Sequence, residues 1–228
     1  MSDPGLTPDG PQPGSTKRTK IRRIPDRAVT SPTVRDEVLD AGLVAHVAVI
    51  DAGQPFVVPV AYARSGKEVL FHGSSASRLF KTLADGQPTC LSVTLLDGLV
   101  LARSAFESSM NYRSVMVIGS PRLLEGDEKA EALRRISDHL LPGRWSDIRP
   151  PSDQESKATI VLALSLDECS VKVRTGNPED VPEDLVDPNF AQVWGGTVPL
   201  TESFGTAVPD EFSGGIQAPS YIETWTRS

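Results

Sequence analysis

Cysteine and histidine are scarce: two and three residues respectively in a chain of 228. A metal centre needs more ligands at closer spacing than this, so a structural zinc or iron–sulfur site is excluded. Cys90 and Cys169 both lie in apolar, strand-like runs and read as small buried hydrophobes of a reducing compartment. Long hydrophobic runs are absent too. No stretch approaches the roughly 20 apolar residues of a membrane span, and the first twenty residues, MSDPGLTPDGPQPGSTKRTK, have no signal-peptide core. The expectation is a soluble cytoplasmic protein without a membrane partner. Nor is there an excess of positive charge. A net charge of −7 argues against a general nucleic-acid binder, which needs a basic surface to displace counterions. No Ser–His–Asp order, paired-carboxylate signature or Gly-rich dinucleotide fingerprint appears.

Hydrophobic residues make up 39% of the chain, enough for a core but low enough that part of it should lie outside one. The organisation follows composition. Residues 1–16 are rich in Pro, Gly and Asp and are expected to be a disordered tail. Residues 17–30 form a basic arm around KRTKIRRIPDR, expected to cross the acidic body of the protein or of a partner subunit, or else to contact a phosphate or nucleic acid. The folded domain is expected at 31–176, and a Pro/Gly-rich extension at 177–228 should wrap that domain or a partner subunit. Within the extension, VWGGTVPL (193–200) reads as an anchored point.

Ser31-Pro32 predicts a helix start, followed by Val34, Val38 and Leu39 at helical spacing and a stop at Gly42. Strands are predicted at 43–51 and 54–64, around the hairpin signal Ala52-Gly53, and at 68–73. A short helix follows over 75–86. Asp97-Gly98 is the strongest local hairpin signal and predicts a turn between strands 89–96 and 99–106. Residues 114–125 give a further strand. A helix follows over 127–143, with Ala130, Leu133, Ile136 and Leu140 on one face; 159–174 is long enough for one bent strand or two. Seven or so strands joined by tight turns must be mostly antiparallel, and with few helices between them they favour a barrel or sandwich with peripheral helices.

The short helix carries the most chemistry. At 100° per residue Ser74, Ser77, Arg78 and Lys81 share one face, and Leu79, Phe80 and Leu83 share the opposite one. Hydroxyls, a guanidinium, an ammonium and the free amides of a helix start are the groups a phosphate site needs. The alternative is a solvated face with serine caps. A second donor-rich stretch is RSAFESSMNYRS (103–114), between the apolar runs Leu99–Ala102 and Val115–Ile118. Arg103, Ser108, Asn111, Tyr112 and Arg113 could hold the rim of a polar ligand, or could form an exposed loop. Of the histidines, His139 reads as a helix C-terminal residue favoured by the dipole.

The pattern VVPVAYAR…LFHGSSASRLFK…CLSVTLLDGLVLARSAFESSMNYRSVMVIGSPR…HLLPGRW resembles the pyridoxamine 5′-phosphate oxidase-like proteins. More narrowly, it is similar to their flavin-nucleotide-binding branch, related to nitroimidazole-resistance proteins, over about residues 20 to 200. The resemblance implies a mainly β fold, a six- to seven-stranded antiparallel split β-barrel, forming a homodimer with FMN at the subunit interface. It implies that the FMN phosphate meets Ser74, Ser77, Arg78 and Lys81. The ring would run along Val58, Pro59 and Val60, with His72 and Gly73 beside it and Ser108, Asn111, Tyr112 and Arg113 contributed from the same rim or the neighbouring subunit. His72 takes the place of a histidine with a proposed catalytic role in the nitroimidazole-resistance proteins. The residue set that holds substrate phosphate in true pyridoxamine-phosphate oxidases is not found. The expected function is an FMN-dependent oxidoreductase acting on a small molecule. The alternatives are a non-catalytic flavin- or haem-binding module, with His72 or His46 on the iron, and a deazaflavin-dependent reductase.

Overall fold

The computed structural model describes residues 11–226. Residues 1–10 of the expected disordered tail lie outside that range. Among the described residues ten strands occur in chain order: β1 (Ala28–Val29), β2 (Val44–Asp51), β3 (Gln54–Ser65), β4 (Glu68–Ser74), β5 (Thr89–Leu101), β6 (Ser109–Gly119), β7 (Arg122–Leu123), β8 (Thr159–Ser165), β9 (Cys169–Arg174) and β10 (Gly196–Pro199). Seven are long, and β1, β7 and β10 are short additions. Six α-helices accompany them among the described residues: α1 (Pro32–Ala41), α2 (Arg78–Ala84), α3 (Gly126–Leu140), α4 (Asp153–Lys157), α5 (Pro182–Val186) and α6 (Ser220–Glu223).

The sheet runs β1-β9-β6-β5-β2-β3-β4-β8-β7, with β10 added to β5, and every pairing is antiparallel. β8 belongs to one end of this order and β9 to the other, yet only Leu166–Glu168 separate them. The sheet must therefore curl until its ends meet. The approach of β6 to β8 shows this closure: a Cβ on Gly119, at the end of β6, would lie 3.1 Å from the Leu164 side chain of β8. The result is a barrel, and the expected single long segment at 159–174 is the two strands that close it.

Alternation in the strands fills the interior. Ala45, Val47, Val49, Val60, Tyr62, Val69, Phe71, Leu91, Val93, Val115, Val117, Leu162 and Leu164 form one buried cluster. α1 plugs it with Val38 and Leu39, and its Ser31 cap accepts from Val34 N as predicted. Gly42 ends α1 for a different reason from the left-handed geometry usual at such stops. Its φ is −79°, and a Cβ there would sit 2.6 Å from both the Tyr62 hydroxyl and Val93. Tyr62 in turn donates to Leu39 O at 2.6 Å. α3 covers the outside of β3, β4 and β8 with Ala132, Ile136 and Leu133; Ala130, expected on that face, is exposed. His139 lies in the last turn of α3, as expected, and its Nε2 meets Gly42 O at 2.7 Å.

The Asp97-Gly98 hairpin does not form. β5 runs straight through it with a register shift between Leu96 and Gly98, and the chain reverses later, at 102–108. The glycine serves a close approach: a Cβ on Gly98 would lie 2.7 Å from Val198 O of β10, which packs at this point. Asp97 is occupied as well, by Arg113.

Candidate functional site

The barrel is open between β3 and β4. β3 pairs with the whole of β2 over Gln54–Ala61, but with β4 only over Tyr62–Ser65. Beyond that point His72, Gly73 and Ser74 leave β3 and continue along β8. The β4-facing edge of residues 54–61 is thus left without a strand partner among the described residues, and unpaired main-chain groups are ready hydrogen-bond partners. Val58, Pro59 and Val60 lie on this edge. Val60 is buried, and Pro59 faces outward beside His46.

α2 starts at the mouth of the same split. Leu79, Phe80 and Leu83 are buried and Phe80 packs 6.0 Å from Phe71, ring to ring. Gly73 makes this possible, since a Cβ there would fall 2.0 Å from the Phe80 ring. With the apolar face pinned, Arg78 and Lys81 are left exposed at the opening. Ser77 is the N-cap residue and its hydroxyl makes no cap bond. Arg78 stacks 4.0 Å above the Phe56 ring and reaches Asp51 at 3.3 Å while remaining 59% exposed. So exposed a pair is weakly held and leaves most of the guanidinium's donors available. The helix begins three residues later than the sequence indicated. Ser75 N is consumed by Ala158 O and Ser77 N by Ser74 O, while the Ser74 hydroxyl accepts from Ala76 N. The amides left over are those of the first helical turn, from Arg78 onward.

His72 sits where β4 leaves β3. Its Nδ1 is buried with no hydrogen-bond partner, and burial lowers its pKa below the ordinary 6.5, so the imidazole is held neutral. An orphaned buried nitrogen is rare enough to call for a reason.

The predicted residues of 108–114 are elsewhere. Ala48 is opposite Cys90 on β5 and Asp51 lies beyond it, whereas Arg113 is opposite Leu95. Five residues of strand separate the two levels, about 17 Å. Within one chain the α2 corner and this junction therefore lie toward opposite ends of the strands. The junction's donors are also largely spent. Arg113 makes a forked contact with Asp97 at 2.8–3.2 Å, which raises its pKa. Asn111 donates to Gly176 O at 3.1 Å and accepts from Arg174 at 2.7 Å. Arg103 binds Asp180 through its amide at 2.6 Å and its guanidinium at 2.7 Å; Ser108 donates to Ser104 O. Tyr112 stands half-buried on the outward side. Phe56, Asp51, Asp180 and Arg174 were not singled out by the sequence. Phe56 had one usable signal, its place at the head of the strand facing the helix.

The outward face of β2, β3, β5 and β6 is apolar and uncovered at Val44, Ile50, Val57, Leu96, Leu99 and Met110. A cavity of about 570 Å³ opens elsewhere, between the ends of α1 and α3 and the aromatic tail residues Phe204, Tyr221 and Trp225. It contains none of the predicted site residues. Among the described residues no helix is long and apolar enough to cross a membrane, and no group of three or more His, Cys, Asp or Glu could hold a metal ion.

Comparison with known proteins agrees with this architecture. Residues 31–173 match the family described as pyridoxamine 5′-phosphate oxidase. The flavocytochrome Anf3 from Azotobacter vinelandii is 40% identical, with 93% of this chain and 98% of that one aligned at a TM-score of 0.86. The FAD and heme binding protein from Mycobacterium smegmatis is 36% identical over 88% of this chain and 98% of that one, TM-score 0.82. A structure assigned to 5-nitroimidazole antibiotic resistance, from Bacteroides thetaiotaomicron, shares the fold at 22% identity, TM-score 0.54, over 64% of this chain and 86% of that one. No curated protein matches the chain.

Proposed function

The chain belongs to the pyridoxamine 5′-phosphate oxidase family, and from that premise we propose that it is a flavoprotein whose flavin nucleotide lies in the split between β3 and β4. The carrying observation is the pinned α2 corner, where Arg78 and Lys81 stand exposed and Ser77 half-buried beside an unpaired strand edge. Arg78 and Lys81 would hold the phosphate and the β3 edge at Val58–Val60 would orient the ring. FMN, with one phosphate for one corner, is the cofactor this arrangement asks for. When bound, a flavin supplies electron or hydride transfer, and the protein supplies binding, orientation and exclusion of water. We assign the chain an oxidoreductase role toward a small molecule on this basis. Flavin binding is supported by the two structures of 40% and 36% identity, named a flavocytochrome and an FAD and heme binding protein.

We further propose a homodimer with the flavin at its interface. The uncovered apolar face needs a cover, and a twofold copy would bring one subunit's Asn111–Arg113 rim toward the other's α2 corner. The free cysteines suit a reducing cytoplasm.

One observation favours a second reading, in which the protein also holds haem. His72 offers a neutral imidazole with an orphaned nitrogen, as an iron ligand must. The experiment is to denature the purified protein, identify the released small molecule by mass spectrometry and compare absorption before and after. Flavin mononucleotide with oxidised-flavin bands is the expected result. A colourless protein releasing nothing overturns the proposal, and a Soret band lost in a His72→Ala variant establishes the haem reading.

A further inference from the structure

The basic arm has no part in the flavin reading, and its structure is specific. Residues 17–27 hold Lys17, Arg18, Lys20, Arg22, Arg23 and Arg27 against Asp26 alone, a net +5 that leaves −12 for the rest of the chain. The segment is fastened at both ends. Gly14 N donates to Cys169 O at 2.7 Å, Arg18 pairs with Glu168, and β1 pairs with β9 at Ala28 and Val29. Between those points Thr16 and Thr19 bond to each other, Lys20 N donates to Thr16 O, and Ile24 is held at φ 54°, a conformation a β-branched residue rarely adopts. Lys17, Lys20, Arg22 and Arg23 are exposed, and neither they nor Arg27 form an ion pair among the described residues. This is a shaped positive loop on an acidic molecule.

We propose that this loop docks a small acidic electron-carrier protein, which reduces the bound flavin. The electron-carrier part rests on the flavin reading. Charge decides among the occupants. An extended polyanion such as duplex nucleic acid or an anionic bilayer would also meet the −12 remainder and be repelled, whereas a small acidic protein can confine its contact to the loop. The chain also lacks a dinucleotide fingerprint that would take nicotinamide reductants directly. Two reduced carriers dock in turn, each giving up one electron and leaving oxidised. Solvent supplies two protons, and the flavin ends two electrons and two protons richer.

The test uses the full flavin-loaded chain, a reduced acidic [2Fe–2S] ferredoxin as probe, and the charge-reversal variant Lys20→Glu/Arg22→Glu/Arg23→Glu. Calorimetry measures docking, and bleaching of the flavin measures electron delivery. Docking should weaken by about tenfold or more in the variant at about 20 mM salt, and the difference should shrink at about 300 mM, where charges are screened within a few ångströms. Equal affinity of the two proteins, or tighter binding of duplex DNA or phosphatidylserine vesicles than of ferredoxin, overturns the proposal. So does a variant that turns monomeric, because the loop then serves a second copy. Docking intact with no flavin to bleach removes the flavin reading and the electron-transfer claim together; flavin present without salt-dependent docking removes only the latter.

Discussion

The α2 corner at Ser74–Lys81 and the junction at Arg103–Arg113 carry the same kinds of side chain, yet they use them in opposite ways. At the corner the apolar half of the helix is buried and the polar half is left open, with Arg78 held only by a long contact to Asp51 and by the Phe56 ring. At the junction, arginine and asparagine donors are turned back onto the chain. They fasten the C-terminal extension through Asp180 and Gly176 and brace the β5 bulge through Asp97. A count of donors in sequence is thus no measure of donors available to a ligand. What separates the two is whether the chain itself supplies acceptors within reach.

Substitutions should divide along the same line. The largest effect on folding stability is expected from Asp180→Ala. It leaves the Arg103 guanidinium half-buried, with its Nε already unpartnered, and should cost about 3 kcal/mol, the low end for a broken buried pair because Arg103 keeps some solvent. Thermal melting would register this as a loss of stability. An unchanged melting temperature would mean the junction is not the fastening described here.

Arg78→Ala/Lys81→Ala should behave inversely. Melting of the flavin-free protein should move by no more than about 0.5 kcal/mol, as for exposed positions, while flavin binding loses about 1.5–3 kcal/mol for each charged bond removed. Titration by flavin fluorescence checks it. Gly73→Ala should blur the division, because its Cβ drives Phe80 out of place and tilts α2. A cost of about 1–3 kcal/mol in stability is expected, with a fall in flavin affinity alongside.

The smallest effect concerns pH. His72 has a pKa below 6.5 in the folded chain because it is buried, so between that lowered value and 6.5 the unfolded chain binds more protons than the folded one. Stability should therefore fall as pH drops below 6.5, and His72→Leu should flatten that acid limb. Melting curves on either side of 6.5 compare the two proteins; parallel curves would show that the imidazole is not desolvated as described.

How much of this was legible in sequence depends on range. Apolar runs between turn signals placed β2, β3 and β4 closely, while β5 was divided at Asp97 and β6 begins five residues before its expected start; the Ser31 cap and the α2 faces are local signals that survived folding. Asp97-Gly98 misled because the same dipeptide serves a turn or a close approach, and only the distant β10 decides which. The α2 corner could be read because its residues are consecutive. The junction could not, because its partners, Asp180, Gly176 and Arg174, lie more than sixty residues away in sequence. The opening between β3 and β4 was equally hidden, since it consists of pairing that stops.

The most direct test of the α2 corner as a phosphate receptor compares FMN with riboflavin, which lacks only the phosphate. The wild-type chain should bind FMN far more tightly than riboflavin, and the Arg78→Ala/Lys81→Ala variant should bind the two nearly alike, at the affinity of riboflavin for the wild type. A variant that keeps the full preference for FMN would place the phosphate somewhere else and contradict the account.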